Sequence, residues 1–250
     1  MINRKSRYEI SLMNSAGSIV AEVLQQLRST VKPGITTAEL DTIAENIIRK
    51  NNAIPAFKGY HGFPGTICAS INEQVVHGIP SDSIILKEGD IISLDVGATY
   101  KGMVGDSAIT VGVGSISKEL EQLIEVTKQA LYDAIEKMQP GNHLQDISGA
   151  IEDRANQYGY GIVKQYGGHG IGRNMHEEPF VFNYRTGDLG PILKPGMVMA
   201  LEPMFNLGTG DVHTLSDNWT VVTNDDKHSA HYEHTVLISE DGPQILTIAK

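Results

Sequence analysis

The chain repeats itself. At a constant offset of 107 residues, Leu86 to Asp95 lies over Leu193 to Glu202, and both stretches read as a Leu-Lys-x-Gly turn leading into an apolar run that ends on an acid. The same offset lays Pro33-Gly34 over Pro140-Gly141, Leu24 over Leu131, Leu40 over Ile147 and Glu45 over Glu152. Each match alone is weak. A gapless offset that joins helix positions to strand positions nevertheless implies duplicated supersecondary units, which bury their apolar faces together. Asp95 and Glu202 then hold equivalent places in two similar halves, and a single site between the halves is expected.

Local patterning fills in the halves. Ile10, Met13, Val20, Val23, Leu24 and Leu27 recur at helical spacing after a Ser6 cap. After the turn at Lys32-Pro33-Gly34, Thr36 with Glu39 forms a capping box that starts a second helix. Two further helices are predicted over 117–138 and 144–158, and strands over 91–96, 108–113, 197–201 and 235–239. No low-complexity tract or long linker intervenes, so an α+β fold in one domain spanning 1–250 is expected.

Twenty basic against thirty acidic side chains give a formal net charge of -10. A chain so charged lacks the basic face that nucleic-acid backbones require. Cys68 is the only cysteine. That excludes an intrachain disulfide and a thiolate zinc cage, and it suits a reducing, cytoplasmic setting. Residues 1–15 carry no apolar signal-peptide core, and no apolar run is long enough to span a membrane.

The chemistry is concentrated in acids attached to strands. Asp95 ends Ile91-Ile92-Ser93-Leu94, Asp106 precedes Ser107-Ala108-Ile109, Glu202 ends Met197 to Leu201, and Glu233 precedes His234-Thr235-Val236. One such acid alone is usually a solvated strand end. Four in matching contexts need cations, because a buried carboxylate must be paired or metal-bound. Carboxylates with one imidazole suit manganese, iron, cobalt or zinc. The imidazole is expected from His169, flanked by glycines in Gly167-Gly168-His169-Gly170, with His77 and His176 as further functional candidates. His61, His143, His213 and His228 read as ordinary surface or core residues.

His77-Gly78-Ile79-Pro80, Asp95 with Asp106, His169-Gly170-Ile171-Gly172 with His176, Glu202-Pro203 and Glu233-His234-Thr235 together resemble the type I methionine aminopeptidases, over essentially the whole chain. The resemblance implies a pita-bread fold, two related halves curving around a dinuclear metal centre. It implies that Asp95 chelates one divalent ion, that His169 and Glu202 bind the other, and that Asp106 and Glu233 bridge them. The reaction implied is hydrolysis, by a hydroxide that two metals activate, of an initiator methionine before a small second residue. Glu202 would also shuttle the proton, His176 would stabilise the oxyanion, and His77 would bind the substrate backbone.

The same resemblance implies a methionine pocket of Tyr60, Phe63, Cys68, His77, Met175, His176 and Trp219, and a monovalent-cation site at Asn72, Gln74 and Ser229. The metals would be two of cobalt, manganese, iron or zinc. The partners would be the N-termini of nascent polypeptides, with transient contact to the ribosome, and the enzyme a monomer. Three positions depart from the pattern: His231 stands in place of a glutamine, Phe57 in place of a small thiol, and Met175 in place of an aromatic. Rival readings are an X-Pro peptidase or prolidase, which usually carries an extra N-terminal domain, a peptide-binding domain that has lost catalysis, and a two-metal phosphatase.

Overall fold

A computed structural model describes residues 2–248. Its first helix, α1 (Arg7–Thr30), begins where Ser6 accepts the Glu9 amide and the Glu9 carboxylate returns to the Ser6 amide. That reciprocal box satisfies donors that a helix start leaves open. Thr36 and Glu39 do the same for α2 (Thr37–Lys50). Ser117 caps α3 (Lys118–Glu136), and α4 (Leu144–Tyr158) stops at Gly159, whose positive φ of 71° ends the helix.

The repeat is visible hydrogen bond by hydrogen bond. Gly34 N donates to Leu86 O, and Gly141 N to Leu193 O. Leu86 N donates to Ile35 O, and Leu193 N to Asn142 O. The isolated bridges Thr36↔Ile85 and His143↔Ile192 are likewise 107 residues apart. His143, in the place of Thr36, donates its amide to Asp146 as Thr36 does to Glu39.

The helices lie against a nine-stranded, largely antiparallel sheet. In its centre the strands Ile91–Tyr100 and Met103–Gly112 form a hairpin of ten residue pairs, followed by Glu233–Ser239, Val198–Leu201, Gly168–Gly170 and Glu177–Val181. Lys101 and Gly102 close the hairpin with φ of 48° and 80°, the two positive angles that a tight right-twisted turn requires. One core joins α1 and α2 to the first hairpin through Val20, Leu24, Leu40, Ile48, Leu94 and Val96. The equivalent core joins α3 and α4 to the second half through Leu131, Ile147, Met199 and Val236. The sheet face away from the helices is left for the site.

The strands extend beyond the sequence expectation. Asp95 and Asp106 lie in mid-strand and not at strand ends. The polar and small residues around them read as termini because the second half, and not an apolar neighbour on the chain, buries them.

Candidate metal centre and its cleft

Strand register puts the acids together. Asp95 faces Ala108 across the hairpin, and Ala108 faces Glu233 in the next strand. Asp106, two residues before Ala108, is a diagonal neighbour of Asp95 on the same face. Thr235, Ala200 and His169 form the adjacent row, and Glu202 returns to that face two residues after Ala200. The small Ala108 side chain leaves space between Asp95 and Glu233. Ligand-type atoms of Asp106, His169 and Glu233 lie within 4.8 Å of one another, and His169 Nε2 is 3.6 Å from Glu202 Oε1.

The charges have no protein counterweight. Among the described residues, the only ionisable basic partners within 4.0 Å of these four acids are His169 and His231. Burial raises the Asp95 pKa to about 7. Burial raises Asp106, Glu202 and Glu233 well above the carboxylate range, and repulsion among the acids adds to it. Asp95 Oδ1, Asp106 Oδ1 and Glu233 Oε1 are buried with no hydrogen-bond partner. His169 Nδ1 lies 2.9 Å from Gly170 O, so its N–H donates there and the Nε2 lone pair turns to the acids. Burial lowers the His169 pKa to about 4 and keeps the ring neutral. Unpartnered carboxylate oxygens around a neutral imidazole are a donor set that fits divalent cations.

Above this floor opens a cleft of about 710 Å³. All seven expected pocket residues line it: Tyr60, Phe63, Cys68, His77, Met175, His176 and Trp219. The Tyr60 hydroxyl is 2.9 Å from His176 Nδ1. His176 stands at the rim, where partial desolvation lowers its pKa, as does nearby His61. His77 holds a left-handed φ of 61°, unusual for a side-chain-bearing residue, and its ring is edge-on to Tyr166 and Trp219. Burial and the nearby acids push the Cys68 thiol up, so it is a neutral wall and not a nucleophile.

Phe57, His61, Tyr166 and Phe180 also line the cleft. His61, read from the sequence as an ordinary histidine, lies edge-on to Tyr60 at 4.4 Å. It reaches the cleft through a loop with positive φ, which no spacing signal marks. The two pocket departures are neighbours: a Cβ on Gly97 would meet both Met175 Cε and Phe57 Cε1 at 2.8 Å. Asn72 and Ser229 adjoin, with Ser229 N donating to Asn72 O. The Asn72 side chain is committed to Asp90 and Ile91, and Gln74 Oε1 to the Ile71 amide, while Ser229 Oγ is unpartnered.

Curved halves around a carboxylate-rich face define a metallopeptidase architecture, and comparison with known proteins agrees. The family model for metallopeptidase family M24 matches residues 11–240. A methionine aminopeptidase of Clostridium acetobutylicum is 52% identical over 250 residues, covering 100% of both chains. Methionine aminopeptidase 1 of Bacillus subtilis is 51% identical, covering 99% of each. The crystal structure of methionine aminopeptidase from Thermotoga maritima superposes with a TM-score of 0.97 at 42% identity, covering 99% of this chain and 100% of that one. The chain belongs to metallopeptidase family M24 and, within it, to the methionine aminopeptidases. Its fold is the pita-bread fold that the sequence resemblance implied.

Proposed function

We propose that this chain removes the N-terminal methionine from polypeptides whose second residue is small, acting as a single catalytic unit with two divalent metal ions. The observation that carries this reading is the convergence of Asp95, Asp106, His169, Glu202 and Glu233 beneath an apolar cleft, with carboxylate oxygens left unpartnered. Asp95 would hold one ion, His169 and Glu202 the other, and Asp106 and Glu233 both. When bound, such ions activate water as a nucleophile and neutralise charge developing at a carbonyl. Cobalt, manganese, iron and zinc all suit these donors.

The protein's own groups supply the rest. Glu202 keeps 14% of its side chain open, against 3% for Glu233. That access suits it to take a proton from water and pass it to the leaving amine. Tyr60 would donate to His176 Nδ1, which leaves the His176 proton on Nε2, free to donate to a developing oxyanion. His77 would hydrogen-bond the substrate backbone. Phe63, Cys68, Met175 and Trp219 offer aromatic and sulfur-bearing walls that suit a thioether. A monovalent cation beside Asn72, Gln74 and Ser229 is a further part of the proposal, supported by the unpartnered Ser229 Oγ.

The proposed setting is the cytoplasm, and the proposed substrates are nascent chains met by a monomer in transient contact with the ribosome. No described helix is long and apolar enough to cross a membrane. An X-Pro peptidase reading draws on the fold's likeness to the prolidase from Pyrococcus furiosus, with a TM-score of 0.79 at 25% identity. Metal-loaded protein incubated with Met-Gly-Met-Met and with an Xaa-Pro peptide separates the two. Methionine released from the first alone is the expected result. Cleavage of neither, with each of the four metals in turn, would overturn the enzyme reading.

A further inference from the structure

His231 is buried, with 1% of its surface exposed, and its Nε2 has no hydrogen-bond partner. That nitrogen lies 3.9 Å from Glu202 Oε2 and 4.0 Å from Glu233 Oε2. Both gaps are too long for a hydrogen bond. They match the separation of two donor atoms sharing one ion, about 3–4 Å when each metal–ligand distance is about 2.0–2.2 Å. The two oxygens of Glu202 divide between imidazoles, Oε1 facing His169 and Oε2 facing His231.

The backbone gives an independent reason. Asp106 N donates to Thr235 Oγ1, which donates back to Asp106 O. His231 N donates to Thr110 Oγ1, which donates back to His231 O. The two loops of hydrogen bonds interchange Asp106 with His231 and Thr235 with Thr110. The pseudo-twofold that pairs Asp95 with Glu202 therefore pairs His231 with Asp106, one of the proposed bridging acids. Among the acids around it, Asp95, Asp106 and Glu233 each have a buried unpartnered oxygen, and His231 carries the same signature on nitrogen.

We infer that His231 is a sixth metal-ligating residue, its Nε2 binding the divalent ion held by His169, Glu202 and Glu233. The inference rests on the metal-centre reading above and deepens it. A second imidazole shifts the donor set toward cobalt, iron and zinc and away from manganese, which prefers an all-oxygen shell.

Metal-free wild-type protein and a His231→Gln variant, titrated with cobalt(II) by calorimetry and visible absorption, test it. The variant should bind one cobalt at least tenfold more weakly, with a changed d–d spectrum and a smaller preference for cobalt over manganese. Equal affinity and spectrum would overturn the inference. Weaker binding with an unchanged spectrum would also overturn it, making His231 a hydrogen-bonding neighbour of Glu202. Failure of the wild type to bind cobalt would instead remove the metal centre itself. X-ray absorption of the zinc-loaded wild type needs no variant: two imidazoles per pair of zinc ions are expected, and one would refute ligation.

Discussion

His176 stands at the rim, and its proposed use depends on where its proton sits. With Tyr60 donating to Nδ1, as proposed, that proton sits on Nε2. A neutral hydrogen bond is worth about 1 kcal/mol net, about a fivefold change in rate. Tyr60→Phe is therefore expected to lower kcat by roughly that factor, while metal content stays unchanged in elemental analysis. His176→Ala removes the proposed oxyanion donor itself and should cost about 10²–10³ in kcat. Loss of metal in that variant would transfer His176 to the ligand set. Glu202→Ala should abolish turnover, and residual activity near wild type would remove Glu202 from the mechanism. The candidate ligand acids stood out in the sequence because few residue types bind divalent metals and each one adjoins an apolar run. Tyr166 and Phe180 did not, because an aromatic in a loop or on an edge strand carries no sign of the cavity it lines.

At the scale of elements, α1 meets the sheet without clearance. A Cβ on Gly17 would stand 2.2 Å from Leu246 O, and a Cβ on Gly105 would stand 2.8 Å from Gly17 N. Two glycines let helix and strand backbones touch, and the chain near Leu246 closes over them. Gly17→Ala gains about 1 kcal/mol of helix propensity. Overpacking against backbone costs about 1–3 kcal/mol, so the clash is expected to win. Thermal unfolding of the metal-loaded variant should give a lower Tm; a rise would mean that the Leu246 segment yields without cost. The helices themselves were legible from caps and periodicity, and α4 spans the residues expected from the sequence. The long hairpin was only half legible, since its middle residues are polar on the face that the other half covers.

For the whole molecule, stability should depend on pH and metal together. The four acids have pKa values raised in the folded state, about 7 for Asp95 and well above the usual range for Asp106, Glu202 and Glu233. The folded state therefore holds protons that the unfolded state has lost, and stability falls as pH rises through that window. Buried His77, His169 and His234, each lowered to about 4 by burial, act in the opposite sense between about 4 and 6.5. By about pH 7.5 these histidines are neutral in both states, so the acids dominate above pH 6.5. Chelator-treated protein should lose Tm from pH 6.5 to 8.5, and saturating cobalt or manganese should remove most of that slope. A flat profile without metal would mean that the acids are compensated in some other way.

Sequence alone determined the caps, the duplication and the five candidate ligands, because each is written in residue type and fixed local spacing. It paired Asp95 with Glu202 because the offset of 107 residues survives up to those positions. Beyond them the loops of the two halves differ in length. Asp106 and His231 are 125 residues apart, and a constant offset does not bring them into line. Only the tertiary structure made that pairing, through exchanged hydrogen bonds to Thr235 and Thr110. The fold also chose which polar groups to bury together, since the solvation of a side chain is set by the half that packs over it and not by its neighbours along the chain.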